Sequence, residues 1–177
     1  MNVRKVACIG CGVIGHSWAT LLSMRGYRVV LEDVSQEVLK KASGQTRRSL
    51  DFMEAKAFLE QGEADASYER LDWTTSIAEA VTEADYVQES VCERYEVKKE
   101  VFKEADAAAP SHAILASSTS TLSMTEIQKA VGHQDRCLVA HPYNPPHLVP
   151  LVDLIPGQKT SVGTVKKTVE FMEQLGK

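Results

Sequence analysis

Apolar positions along the chain fall into short continuous runs that alternate with stretches at helical spacing. Residues 3–9 form an apolar run ending at Gly10, the pattern of a strand buried on both faces. Over 13–25, Ile14, Trp18, Leu21, Leu22 and Met24 recur at helical spacing, and Gly26 is placed to cap the C-terminus. Residues 27–31 are β-rich, and Ser35 is positioned to cap a helix running through Lys41 and Leu50 towards Leu59. The stretch 62–72 is polar, acidic and aperiodic, which predicts a surface loop. A short helix at 77–81, a strand at 86–91, a charged helix at 97–108 and a strand at 113–116 follow. Ser123 and Glu126 form a capping-box pattern that predicts a further helix. A strand at 137–140 ends at His141, and a proline-rich link (142–150) leads to an apolar run at 151–155. A last helix over 163–175 stops at Gly176. Strands alternating with helices imply an α/β fold: a doubly wound, mostly parallel sheet with helices on both faces.

Composition narrows the function classes. The 177 residues suit one domain, and 44% hydrophobic with 25% charged residues is ordinary for a globular protein. A net charge of −4 without a dense Lys/Arg run argues against a nucleic-acid partner, and Arg47-Arg48 and Lys166-Lys167 read as solvated helix faces. No apolar run reaches the roughly 18 residues of a membrane span, and no secretory leader pattern opens the chain. Cys8, Cys11, Cys92 and Cys137 are too few and scattered for a disulfide framework, so a cytoplasmic, reducing setting is expected.

The first strand–helix turn reads Gly10-Cys11-Gly12-Val13-Ile14-Gly15, with Ala19 four residues on. Gly10 permits the tight turn, Gly12 lets backbone approach a pyrophosphate, and Gly15 with Ala19 lets the helix pack close to the sheet. The N–H groups of Val13 and Ile14 at the helix start face the phosphates. A second strand ending in Glu32-Asp33 supplies the context of a Rossmann-type dinucleotide site. A carboxylate there accepts from the ribose hydroxyls and repels a 2′-phosphate, so the expected cofactor is NAD, held by Asp33. Glu32 is the alternative at a one-residue offset, and the fingerprint alone does not exclude a flavin. Cys8 and Cys11 form a CxxC, but one lies in a buried strand and one in the phosphate turn. Both are read as structural, and no metal site is expected.

Two further segments follow strands directly: Ser117-Ser118-Thr119-Ser120-Thr121 and His141-Pro142-Tyr143-Asn144-Pro145-Pro146. They therefore belong at the carboxyl edge of the sheet, where open α/β sheets bind ligands. A hydroxyl cluster, a histidine and an asparagine there could hold and deprotonate an alcohol. His16, His112, His133 and His147 read as surface or loop residues.

In order along the chain stand Gly10-x-Gly12-x-x-Gly15, Asp33, Glu93 with Lys98, Ser118-Thr119-Ser120, His141 to Pro146, and Pro150-Leu151-Val152-Asp153. Together they resemble the N-terminal domain of the L-3-hydroxyacyl-CoA dehydrogenase family. The segments 116–120 and 141–146, with 87–90, resemble most its branch of L-gulonate 3-dehydrogenase, lambda-crystallin and carnitine dehydrogenase. The resemblance implies that His141 is the catalytic base, oriented by Asp153, where the family has glutamate. It implies that Ser120 and Asn144 hold the substrate oxygen and nicotinamide region, and that Glu93 and Lys98 lie near the cofactor. It further implies NAD-dependent oxidation of an L-3-hydroxy group in fatty acid or related metabolism. The substrate is an acyl-CoA or a free hydroxy acid such as gulonate or carnitine; the alternative is a non-catalytic, crystallin-like NAD-binding protein. For an acyl-CoA, Lys40, Lys41, Arg47, Arg48, Lys56 and Arg70 are candidates near its nucleotide. The expectation for residues 1–177 is one NAD-binding domain that binds cofactor better than it turns over. The family's helical domain, which completes the substrate site and forms a homodimer, is expected beyond it.

Overall fold

A computed structural model describes residues 3–177. Its elements run β1 (Lys5–Ile9), α1 (Val13–Met24), β2 (Arg28–Glu32), α2 (Gln36–Ala55), α3 (Glu63–Tyr68), β3 (Leu71–Thr74), α4 (Ile77–Val81) and β4 (Tyr86–Glu89). After these come α5 (Tyr95–Ala108), β5 (Ile114–Ser117), α6 (Met124–Ile127), β6 (Cys137–Pro142), β7 (Val152–Pro156) and α7 (Val162–Gln174). The strands form one seven-stranded sheet in the order β3-β2-β1-β4-β5-β6-β7. All neighbours are parallel except β6 and β7. The chain leaves β1 in one direction for β2 and β3, and in the other for β4 onwards. This reversal opens a crevice at the carboxyl ends of β1 and β4.

Alternation along the central strands explains the two cores. Val6 and Cys8 of β1 face one layer with Val29 and Leu31 of β2, Tyr86, and Trp18 and Leu22 of α1. Ala7 and Ile9 face the other with Val30, Val87, and Val101 and Phe102 of α5. Successive side chains on a strand point oppositely, so a run apolar at every position is what a sheet covered on both faces demands.

The expected loop at 62–72 is instead a helix followed by an edge strand. Both depend on partners remote in sequence. The Glu54 carboxylate in α2 accepts from the Gly62 and Ala64 amides at 3.0 and 2.9 Å, satisfying donors at the start of α3. β3 pairs with β2 through Val29↔Leu71 and Leu31↔Trp73, and its single buried side chain, Leu71, left no alternation to read. The capping box also fails. Ser123 makes no side-chain cap, the Leu122 amide donates to Thr119 Oγ1, and Glu126 binds Lys129 at 2.6 Å. The helix there is a single turn running into a 3-10 segment. By contrast, Ser35 caps α2 as expected, accepting from the Val38 amide, and Gly26 takes φ +87°. α2 stops at Ala55 rather than near Leu59, and Ala57 sits at φ 58° just beyond it.

Replacing Glu54 by Ala should cost about 1 kcal/mol, the scale of a lost helix cap. Amide exchange should accelerate over residues 62–74 and leave β1 protected; uniform acceleration across the sheet would contradict this local role.

Candidate active site

The glycine turn is shaped by close backbone approach. Gly10 adopts φ +85°, and a side chain on it would meet the Ser90 backbone at 2.8 Å. A Cβ on Gly15 would lie 1.8 Å from the Gly10 carbonyl oxygen, so α1 can seat on the turn only with glycine there. Gly12 is the reverse: nothing lies within 4 Å of its would-be Cβ, and its face is open. α1 begins at this open face with no side-chain cap and no acidic residue in its first turn. Val13 is exposed and Ile14 half-buried there. Uncapped amides at the positive end of a twelve-residue helix, beside an open glycine, fit a pyrophosphate.

Asp33 faces the same turn. Its Oδ2 accepts from the Cys11 amide at 2.9 Å. Its Oδ1 has no protein partner among the described residues. The carboxylate expected to accept from the ribose hydroxyls thus also braces the turn. The Cys8 and Cys11 side chains are buried, and burial pushes the Cys8 thiol up to about 12, which keeps it protonated. His16, expected at the surface, is buried with Nδ1 2.8 Å from the Gly12 carbonyl. His147 is half-buried and meets Ser17 Oγ at 2.7 Å.

Next to Asp33 lies a cavity of about 360 Å³. Val34, Val38, Ile77, Val91 and Val97 line it with Gly10, Gly12 and Asp33, as does Glu32. Only 3% of Glu32 is exposed, and its carboxyl makes no hydrogen bond or ion pair with a described residue. Burial, with the nearby Asp33 and Glu104 carboxylates, pushes Glu32 up to about 7.

On the other side of the crevice a buried ion pair organises the strand ends. Glu89, the last residue of β4, and Lys98 of α5 are each about 1% exposed, and Lys98 Nζ donates to Glu89 Oε1 at 2.7 Å. The same oxygen accepts from the Val91 amide at 2.7 Å, and Oε2 accepts from Ser117 Oγ at 2.6 Å. Lys98, expected near the cofactor, is therefore turned inward as the counter-ion of Glu89. Its Nζ also lies 3.3 Å from Glu93 Oε2. Glu93 in turn gathers the loop after β5. Its Oε1 accepts from the Thr119 hydroxyl, the Ser120 amide (3.1 Å) and the amide and hydroxyl of Thr121 (3.3 and 3.2 Å). Burial works against its charge, but the Thr119 hydroxyl, Lys98 and the loop amides outweigh that and hold its carboxyl below the ordinary range.

His141, near the end of β6, is partly buried. Its Nδ1 lies 3.1 Å from the Ser118 carbonyl oxygen. A carbonyl only accepts, so Nδ1 carries the hydrogen and Nε2 keeps its lone pair. Asp153 sits directly opposite His141 in the β6–β7 register. Its carboxylate, however, accepts from the Tyr143 hydroxyl at 3.3 Å, and the expected Asp153–His141 bond is not made. Aspartate is one methylene short of the glutamate the resemblance implies, and the Ser118 carbonyl occupies the nitrogen it would have served. Ser120 and Asn144 are both exposed at this edge, with side chains that bond no described residue.

The family model for the NAD-binding domain of 3-hydroxyacyl-CoA dehydrogenase matches residues 5–177. The chain belongs to this family. An L-carnitine dehydrogenase of Nocardiopsis dassonvillei is 40% identical over 99% of the chain and 52% of its own length. A lambda-crystallin homolog of Bos taurus is 38% identical over 97% of the chain and 54% of its own length. A solved 3-hydroxybutyryl-CoA dehydrogenase from Escherichia coli K12 superposes with a TM-score of 0.95 at 30% identity, covering 100% of this chain and 37% of that one. Its counterpart from Ralstonia eutropha gives 0.94 at 30%, covering 99% and 62%. The chain spans about half the length of the curated relatives it matches. Its cofactor as a member of this NAD-binding domain family is NAD.

Within this member of the 3-hydroxyacyl-CoA dehydrogenase family, three contributors to the site were given no role from sequence. Glu89 and Gln88 fall in the 87–90 segment of the resemblance without an assigned role, yet Gln88 Nε2 donates to Ser118 Oγ (2.8 Å) and the Ala140 carbonyl (3.1 Å), tying β4 to β6 and to the loop after β5. The third is the Ser118 carbonyl. A polar Gln-Glu pair ending a strand that should be wholly apolar was the available signal.

Lys98→Met should destabilise the domain by about 3–5 kcal/mol in chemical denaturation, because Glu89 is left charged and buried. Adding Glu89→Gln should recover part of that loss.

Glu32 predicts a pH dependence. Its carboxyl rises from 4.5 in the unfolded chain to about 7, so the folded state holds a proton that the unfolded chain releases between those values. Its contribution to stability is fully present below pH 4.5 and is lost as pH rises to about 7. Glu32→Gln should exceed the parent in stability by about 1–3 kcal/mol above that range, and the gap should shrink steadily towards low pH. A gap independent of pH would contradict the assignment.

Proposed function

We propose that this chain is the cofactor-binding and base-carrying half of an enzyme that oxidises an L-3-hydroxy group, with His141 as base. The observation that carries this reading is the Ser118 carbonyl on His141 Nδ1, which leaves Nε2 as the proton acceptor at the sheet edge holding the glycine turn. Bound NAD supplies the hydride acceptor. The residues of the chain do the rest. Nε2 of His141 takes the hydroxyl proton, and Ser120 and Asn144 hold the substrate oxygen. Glu93 keeps the Ser120 loop in place. Asp33 supports the ribose through Oδ1 and disfavours a 2′-phosphate by charge.

Two features bear on the substrate. Relatives named L-carnitine dehydrogenase match nearly the full chain, which favours a small free 3-hydroxy acid alongside the acyl-CoA reading. The lambda-crystallin homologs raise a non-catalytic protein as the second reading. The set of His141, Ser120 and Asn144 is complete, and a purely structural role needs none of it. The full-length protein is expected to be a homodimer that completes its substrate site with a helical domain.

The test assays the native protein containing this segment with NAD against 3-hydroxybutyryl-CoA, L-carnitine and L-gulonate, following NADH. His141→Ala should lower kcat at least about 100-fold, the scale of a lost general base, with NAD affinity nearly unchanged. Retained turnover would place the base elsewhere. Asp33→Ala should narrow the preference for NAD over NADP.

A further inference from the structure

The crevice contains a buried carboxyl that neither the glycine turn nor the His141 edge uses. β2 ends in two acids, and alternation sends them to different sides. Asp33 turns to the glycine turn. Glu32 shares a face with Val30, which packs against Ala80, Val81 and Val101, and it lines the cavity with Ile77, Val97 and Val101. The position of this cavity follows from the groups already placed. Phosphates belong at Gly12 and the start of α1, and the ribose belongs at Asp33. The apolar slot continuing past Asp33, between Val34 on one side and Val91 and Val97 on the other, therefore takes the base of the nucleotide. In that slot Glu32 and Asp33 are the only carboxyl groups among the described lining residues.

An isolated carboxyl in such surroundings is costly unless a donor reaches it. The protein provides none: no described residue donates to the Glu32 carboxyl, and the charged groups acting on it, Asp33 and Glu104, have its own sign. Cys11 is close, but its thiol donates to the Glu32 backbone carbonyl rather than to the side chain. Of the ring systems a dinucleotide could place here, adenine carries an exocyclic amine, which is the missing donor. We propose that Glu32 is a cofactor-recognition residue whose carboxyl accepts a hydrogen bond from the adenine 6-amino group of NAD. The cofactor thereby gives the carboxyl a donor that no described residue supplies. Discrimination at the adenine edge is added to that of Asp33 at the ribose. The inference rests on the family's cofactor and not on the reaction proposed above.

Direct binding, by calorimetry or fluorescence titration, tests it without turnover. The probes are NAD and its analogue with purine in place of adenine, which lacks only the 6-amino group. The parent protein should bind NAD about tenfold more tightly than the analogue, the worth of roughly one good hydrogen bond. Glu32→Gln keeps an accepting oxygen and should preserve that ratio. Glu32→Val should bring it close to one. Tight NAD binding with a ratio near one in the parent overturns the role of Glu32, whatever the variants do, and so does a tenfold ratio that survives Glu32→Val. Failure of the parent to bind either dinucleotide would overturn the cofactor assignment itself. The parent measurement alone decides the matter if Glu32→Val does not fold.

Discussion

The buried pair of Glu89 and Lys98 is the constraint on which the active edge is built. Neither charge tolerates burial alone, and each is satisfied only by groups from several elements: a β4 carboxylate, an α5 ammonium, a β5 hydroxyl and the Val91 amide. Such a pair contributes little net stability compared with an apolar replacement, but it fixes relative positions closely. From Lys98 the order passes to Glu93, and from Glu93 to the amides and hydroxyls of Thr119, Ser120 and Thr121. The loop so held presents the Ser118 carbonyl to His141. The tautomer of His141 thus traces back, bond by bond, to two charges under β4.

The cofactor half of the site follows a different logic, set by backbone space rather than charge. Gly15 must lack a side chain because the Gly10 carbonyl occupies its place, and Gly12, with nothing within 4 Å of a would-be Cβ, leaves its face open. Those requirements write themselves into sequence as glycines at fixed spacing, which is why the turn, α1 and the acid after β2 could be read without coordinates. The parallel sheet was equally legible, since strands covered on both faces are apolar at every position.

What escaped the sequence shares one property: it depends on partners far along the chain. α3 and β3 exist because Glu54 and β2 supply donors and acceptors to a segment with little apolar character of its own. The Ser123–Glu126 pattern has the right residues, but Lys129 binds the Glu126 carboxylate and the Tyr95 hydroxyl accepts from the Ser123 amide, the two groups a capping box would join. Lys98 was placed with the cofactor because motif order gives position along the chain but not side-chain direction. Its direction is set by the burial of Glu89.

The Asp153 departure can be understood in the same terms. A carboxylate on the second nitrogen of a histidine both fixes the tautomer and stabilises the imidazolium, whereas a carbonyl fixes the tautomer and adds only a dipole. With Ser118 in that role, His141 is oriented by the loop that Glu93 holds, and the aspartate opposite it is free to bind Tyr143 instead. The shorter acid is then coherent with the rest of the site: the ring is held from the loop after β5 and not from β7. The ring of Tyr143, whose hydroxyl binds Asp153, lies 5.8 Å from that of His141.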